Sequence, residues 1–349
     1  MRVVITGATG NVGTSLVEAL GPEPEVGEIV GISRRRPELR RDKVRWVQAD
    51  ITSAELGPLF EGADAVVHLA WAIQPSHDQE TLERINVFGS RRVLAAVAAM
   101  GVPALVHASS VGAYSPGPKE RRVDESWPTE GISTSPYSRH KARVERMLDE
   151  FEVENQRTRV VRMRPGLIFK AEAASEIRRL FAGPLLPRFL LRPGLIPIVP
   201  KLPRLRFQAV HSADAAEAYR QAIVRDVSGA FNLAAEPVIG PSELARILRA
   251  RPVPVPPWLL RGAADLTWRL HLQPADPGWI DLALGVPLME SARAARELDW
   301  RPATSSLDAL SELLNGIRRG TGGPTPPLDP DAGGPARIGE VTSGVGERQ

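Results

Sequence analysis

Met1-Arg2-Val3-Val4-Ile5-Thr6-Gly7-Ala8-Thr9-Gly10-Asn11-Val12-Gly13 opens the chain and decides its reading. The run Val3-Val4-Ile5 is apolar and β-branched, as suits a buried parallel strand. It breaks at Gly7. Beyond Gly13, Leu16, Val17, Ala19 and Leu20 carry helical spacing. Strand, glycine turn and helix, in that order, are the setting in which glycine motifs cradle a dinucleotide. Gly7 permits the tight turn, Gly10 lets backbone approach a pyrophosphate, and Gly13 lets the helix pack close to the strand. The N–H groups at the helix start then face the phosphates. The spacing is G-x-x-G-x-x-G, not the more familiar G-x-G-x-x-G, and a purely structural turn is the competing explanation.

Working outward, strands and helices alternate through the first half. A second strand at Glu28–Ser33 runs into Arg34-Arg35-Arg36. An acidic residue at that place accepts from the ribose 2′-hydroxyl in NAD-binding units. Here a hydroxyl and guanidinium groups stand instead, which suits a 2′-phosphate and favours NADP over NAD. A solvated basic loop is the alternative. A third strand, about Val44 to Gln48, ends in Ala49-Asp50-Ile51, where Asp50 is either an adenine contact or a turn aspartate. A fourth, Ala65 to Ala70, holds His68, which reads as a packed histidine. A long helix is predicted from about Asp78 to Met100, with Asn86 inside it. A fifth strand, Ala104–Ala108, ends in Ser109-Ser110, two hydroxyls at a carboxyl end, where open α/β sheets bind ligands. A sixth lies at about Thr158 to Met163.

Pro136-Tyr137-Ser138-Arg139-His140-Lys141 follows the fifth strand. Pro136 suits the first turn of a helix. Tyr137 and Lys141 stand four apart on one helix face. An unperturbed tyrosine, with a pKa near ~10, is a poor base at neutral pH, and a neighbouring ammonium is expected to lower it. The pair is a plausible acid/base unit for carbonyl–alcohol chemistry.

Composition excludes several classes. The 349 residues contain no cysteine, so disulfides, thiolate metal sites and cysteine nucleophiles are absent. No metal site is expected. The net charge of +3 does not make a nucleic-acid binder. No apolar run reaches the ~20 residues of a spanning helix. No targeting segment is recognised before the first strand, and the expectation is a cytoplasmic protein without membrane insertion. Lys170 to Pro203 is rich in Leu, Pro and Arg and reads either as the wall of an apolar pocket or as a lobe packing on itself. Ser212 is the expected N-cap of an Ala-rich helix. Further helices are expected from Pro241, over Ser291–Leu298 and over Ser306–Arg318. From Arg319 on, Gly, Pro and charge dominate, and disorder is expected.

Together these pieces resemble the extended short-chain dehydrogenase/reductase, or NAD-dependent epimerase/dehydratase, family. The resemblance covers roughly Met1 to Arg318. It rests on Thr6-Gly7-Ala8-Thr9-Gly10-Asn11-Val12-Gly13, Asp50-Ile51, His68-Leu69-Ala70, Asn86-Val87, Ser109-Ser110 with Tyr114, Tyr137-x-x-x-Lys141, Arg164-Pro165-Gly166 and Val210-His211 with Asp214. It implies an α/β fold, a Rossmann-type doubly wound parallel sheet with a smaller C-terminal substrate-binding lobe. The boundaries expected are 1–169 for the dinucleotide-binding part, with 207–233 returning to it, 170–206 and 234–318 for the lobe, and 319–349 for the tail. It implies catalytic roles for Ser110, Tyr137, Lys141 and Asn86, with Tyr137 the acid/base and Ser110 holding the substrate oxygen. Cofactor contacts are implied for Gly7, Thr9, Gly10, Asn11, Val12, Gly13, Ser33, Arg34, Arg35, Asp50, Ile51, Leu69, Ala70, Tyr137, Lys141, Pro165, Gly166 and Leu167.

Departures narrow the activity. Val111-Gly112 stand where sugar dehydratases of this family carry Asp-Glu, so water elimination and the related Glu-dependent decarboxylation are disfavoured. Epimerase–reductases that need a cysteine are excluded. Ser115 replaces a usual Gly after Tyr114. What remains is hydride transfer between NADP or NAD and a carbinol of a sugar nucleotide or an apolar small molecule, as oxidoreductase or epimerase. The alternative is a non-catalytic NAD(P)-sensing protein on the same fold. The assembly, with a homodimer as one option, is left open.

Overall fold

The computed structural model describes residues 1–73, 77–181, 196–271 and 275–329. In chain order the elements of the first half are β1 (Arg2–Thr6), α1 (Asn11–Leu20), β2 (Glu28–Ser33), β3 (Val44–Gln48), α2 (Gly57–Phe60), β4 (Ala65–His68), α3 (Gln79–Glu83), α4 (Gly89–Ala99), β5 (Ala104–Ala108), β6 (Arg122–Val123), α5 (Pro136–Glu154) and β7 (Arg159–Pro165). The second half holds β8 (Leu167–Phe169), α6 (Ala174–Phe181), β9 (Ile198–Lys201), β10 (Phe207–His211), α7 (Ser212–Val224), β11 (Gly229–Leu233), β12 (Ala235–Ile239), α8 (Pro241–Leu248), β13 (Arg251–Pro254), α9 (Pro257–Arg269), α10 (Gly278–Gly285), β14 (Leu288–Met289), α11 (Ala292–Glu297) and α12 (Ser306–Arg319).

Seven strands form one sheet in the order β11-β7-β5-β4-β1-β2-β3, every pair parallel. The expected doubly wound parallel sheet is present. β1 lies inside it, so its residues are covered on both faces, and Val3, Val4 and Ile5 are fully buried. Alternation along β1 divides them. Val3 and Ile5 join Leu16, Leu20, Tyr219 and Trp300 in the core under α1 and α7. Val4 joins Phe60, Val93, Leu148 and Phe151 in the core under α2, α4 and α5. The order of strand addition reverses between β1 and β4, and such a switch point opens a crevice at the carboxyl ends of the strands.

A second sheet, β12-β10-β8, packs on α12 through Phe169, Ala209, Ile239, Leu310 and Leu313. β8 leaves the main sheet at Gly166, where a Cβ would sit 2.5 Å from the Gln208 carbonyl oxygen. Lys170 joins the two parts. Its ammonium donates to the hydroxyls of Thr14 (2.6 Å) and Ser15 (3.1 Å) on α1.

Three local expectations need correction. The long helix over 78–100 is α3 and α4 joined through a π turn at Arg84–Phe88. The cap of α7 is His211, whose Nδ1 accepts from the Ala213 N–H (3.2 Å). Ser212 is inside the helix, and its hydroxyl donates to the Asn11 carbonyl (3.1 Å). Residues 321–329, assigned by composition to a disordered tail, are placed: Leu328 is 1% exposed in the core under α12. Part of the Leu/Pro/Arg-rich stretch, including Leu185–Arg192, and residues 330–349 lie outside the described residues.

Candidate active site

The glycine turn has the geometry its spacing implies. Gly7 has a φ of +75°, and a Cβ there would meet the Ala70 backbone nitrogen at 2.7 Å. A Cβ on Gly13 would lie 2.4 Å from the Gly7 carbonyl oxygen. At Gly10 the nearest atom is 3.4 Å away. The first and third glycines are thus required by packing, while the second leaves open space beside the helix start. α1 begins at Gly10 with no side-chain cap, so its first-turn N–H groups are left to an outside acceptor. This is the fit expected for a diphosphate.

Four strand ends line one crevice. Gly7, Thr9 and Gly10 come after β1; Ser33, Arg34 and Arg35 after β2; Asp50 and Ile51 after β3; Leu69 and Ala70 after β4. Asn11, Val12 and Gly13 form the first turn of α1, and the Asn11 side-chain amide donates to the Ile168 carbonyl (3.1 Å). Arg34 and Arg35 are exposed at the rim. The Ser33 hydroxyl is engaged internally, donating to the Arg35 carbonyl (2.8 Å). Asp50 shapes the turn after β3, its Oδ1 accepting from the Thr52 N–H (2.8 Å) and hydroxyl (2.7 Å). Pro165, Gly166 and Leu167 lie where β7 passes into β8, and the Gly166 N–H donates to the Leu233 carbonyl (3.0 Å).

Beyond the crevice, Ser110, Tyr137 and Lys141 come together. Ser135 caps α5 through the Ser138 N–H, Pro136 takes the first turn, and Tyr137 follows. The Ser110 hydroxyl accepts from the Gly112 N–H (3.0 Å), and beside Gly112 it meets the Tyr137 ring: a Cβ built there would lie 3.4 Å from Ser110 Oγ. A Cβ on Gly112 would meet the Tyr137 ring at 2.7 Å. Burial pushes the Tyr137 phenol up to about 12, and the Ser110 hydroxyl opposes it. Lys141 Nζ donates to the Ala108 carbonyl (2.7 Å) and lies 3.4 Å from the centre of the Trp71 ring. Burial lowers Lys141 to about 7. The expected depression of Tyr137 by the lysine is therefore absent: the ammonium is 6.0 Å from the phenol ring centre and turned to Trp71.

Asn86 does not face open space. Its Oδ1 accepts from the Ala72 N–H (2.7 Å) and its Nδ2 donates to the Ala72 carbonyl (3.0 Å). It pins the loop after β4, which makes it a positioning residue. His68 is packed, as expected, between the hydroxyls of Thr6 (2.7 Å) and Ser90 (2.9 Å). Burial, helped by the Lys141 charge, holds it at about 3, and so neutral.

Residues missed from sequence complete the surroundings. Trp71 stands edge-on to Tyr137 (6.2 Å), and Trp279 of α10 lies 5.2 Å from it. Trp279 packs with Ile132, Leu282 and Val286. Beneath the loop after β5, Glu145 is buried. Its carboxylate accepts from Arg164 Nε (2.8 Å) and Nη2 (2.9 Å), from the Ser109 hydroxyl (2.5 Å) and from Arg162 (3.1 Å). Burial raises Glu145, but Arg164, Ser109 and Arg162 outweigh it and hold the group at about 2. Its placement one turn after Lys141 on the same helix face was the available signal.

Among the described residues, no helix is long and apolar enough to cross a membrane. An uncharacterized protein of Mycobacterium tuberculosis is 27% identical over 321 residues, 91% of this chain. The chain spans only 30% of that relative's length. A Candida albicans sterol-4-alpha-carboxylate 3-dehydrogenase, decarboxylating, is 29% identical over 180 residues, 48% of this chain and 50% of that protein. The fold is similar to that of Thermus thermophilus UDP-glucose 4-epimerase in complex with NAD, with a TM-score of 0.65 and 20% identity over 91% of this chain and 99% of that one. Residues 3–234 match the NAD dependent epimerase/dehydratase family, and the chain belongs to it.

Proposed function

We propose that this chain is an NAD(P)-dependent oxidoreductase, or an epimerase running the same redox step twice, acting on an alcohol or carbonyl carbon. The observation that carries this reading is the meeting of Ser110 and Tyr137 beside Gly112, one helical turn from buried Lys141, at the carboxyl end of the sheet beside the crevice. In this reading residues 1–169, with 207–233 returning to them, are assigned to the dinucleotide-binding part, although β10 (Phe207–His211) pairs with β8 and β12, and the described residues of 170–206 and 234–318 are assigned to the substrate lobe.

The glycine turn and the start of α1 hold the diphosphate, and Arg34 and Arg35 stand where a 2′-phosphate would be met. Bound nicotinamide supplies or accepts the hydride. Tyr137, protonated at neutral pH, donates its proton to the oxygen of a carbonyl being reduced. Ser110 holds that oxygen and the phenol in line. Lys141 is placed for a ribose hydroxyl once Trp71 withdraws from its ammonium. Trp71, edge-on, and Trp279, tilted, flank the phenol with aromatic surface, which supports an apolar small molecule ahead of a sugar nucleotide.

The test follows nicotinamide absorbance over a panel of sterols, small ketones and nucleotide sugars, with wild type and Tyr137→Phe in parallel. Turnover of a ketone or sterol by the wild type alone supports the reading. Equal rates in both proteins remove Tyr137 from the mechanism.

A further inference from the structure

Residues 321–329 read Thr321-Gly322-Gly323-Pro324-Thr325-Pro326-Pro327-Leu328-Asp329. Their path begins at Gly320, whose φ of +69° ends α12 and turns the chain back, with the Thr321 N–H donating to the Gly316 carbonyl (2.9 Å). Leu328 is buried in the core that contains Phe169 and Ile317. The Gly323 N–H donates to the Leu328 carbonyl and the Leu328 N–H to the Thr325 carbonyl, both at 2.9 Å, which closes the segment on itself. Three prolines restrict the free chain, so less conformational freedom is lost on ordering than the composition suggests.

The segment meets the dinucleotide crevice at three places. Thr325 is fully buried and its hydroxyl donates to the Thr9 carbonyl (2.7 Å) within the glycine turn. The Pro326 carbonyl accepts from Arg35 Nη2 (3.4 Å). Pro327 lines the crevice together with Gly10 and Arg34. A plug would bring an acceptor or an anion to the donors at the start of α1. This segment does the opposite: Thr325 engages a carbonyl, and the helix start keeps its uncapped N–H groups.

We propose that residues 321–329 are a strap that completes the wall of the dinucleotide site and slows dinucleotide release, Thr325 fixing it to the glycine turn and Pro326 holding Arg35 at the rim. The proposal rests on the assignment of the crevice to a dinucleotide made above. A strap that encloses bound ligand acts mainly on the dissociation rate.

The experiment measures equilibrium binding and dissociation rates of NADP and NAD for four proteins: the intact chain, the chain ending at Asp329, the chain ending at Gly320, and intact Thr325→Val. The chain ending at Asp329 should match the intact chain. The chain ending at Gly320 should bind about tenfold more weakly or worse, through faster dissociation. Thr325→Val keeps the β-branched shape and should lose about threefold or more, which preserves the test if the shorter chain fails to fold. Unchanged binding in Thr325→Val and in a folded chain ending at Gly320 overturns the strap. So does tighter binding on truncation, or an equal loss in the chain ending at Asp329. If the intact chain binds neither dinucleotide, the crevice assignment itself falls, and the strap with it.

Discussion

At the scale of single residues, Tyr137, Lys141 and Glu145 share one face of α5 and have different tasks. Tyr137→Phe keeps the ring between Trp71 and Trp279 and removes only the hydroxyl. Turnover should fall by about 10²–10⁴, with dinucleotide affinity nearly unchanged. Lys141 carries a depressed pKa, about 7 against 10.5 for a free side chain. Its burial as an ammonium is fully costly below about 7, and that cost fades as pH rises toward 10.5. Melting curves should therefore show wild type gaining on Lys141→Met across this window. Glu145 has the opposite sign, about 2 against 4.5. Its stabilisation is complete above about 4.5 and is lost as pH falls toward 2. Glu145→Gln leaves Arg164 without its carboxylate and should cost about 3–5 kcal/mol at neutral pH. Denaturant titrations should show that gap closing as pH falls through the same window. Spacing alone exposed the Tyr137–Lys141 pair. The Glu145 cluster was hidden because Arg162 and Arg164 reach it from β7 and Ser109 from the end of β5, all distant in sequence from α5's own spacing.

At the scale of elements, the strands of the main sheet were legible because most are short, apolar and closed by a turn, and β2, β3 and β5 fall where their patterns place them; the short strands β6, β8, β9, β12, β13 and β14 were not read. The π turn between α3 and α4 was not, since a shift of hydrogen-bonding partner leaves the apolar spacing nearly intact. That turn buries Asn86 and Val87, and such irregularities recur at functional sites. Here it aims Asn86 at both backbone groups of Ala72. Asn86→Leu strands that N–H and carbonyl and should cost about 1–3 kcal/mol. Because the loop after β4 also carries Leu69, Ala70 and Trp71, dinucleotide binding should weaken alongside stability. A melting curve paired with a binding titration checks this, and a stability loss with binding intact would separate the loop from the site. Trp71 escaped the sequence reading because an isolated tryptophan after a strand carries no periodic signal.

At the scale of the whole molecule, strand order follows from the chain's alternation, but which late segments return to the early sheet does not. α7 and β11 join the first half, β10 pairs with β8 and β12 instead, and Lys170 joins the two parts through α1. These contacts span long sequence separations, where local pattern is silent. The rim arginines are a whole-site matter too, since they act on whatever the crevice holds. Replacing Arg34 and Arg35 with Ala should weaken NADP by about 1–3 kcal/mol relative to NAD, measured as two dissociation constants. The position of β11 also bears on biosynthesis. It covers the flank of β7, yet it leaves the ribosome 64 residues after Pro165, counting to Gly229. At about 5–20 residues per second, β7 stands with a bare edge for roughly 3–13 s on each nascent chain. An unpaired strand edge is a template for association with other chains. Translation speed between Pro165 and Gly229, and holdase capacity during that interval, should therefore govern how much of this protein reaches its folded form.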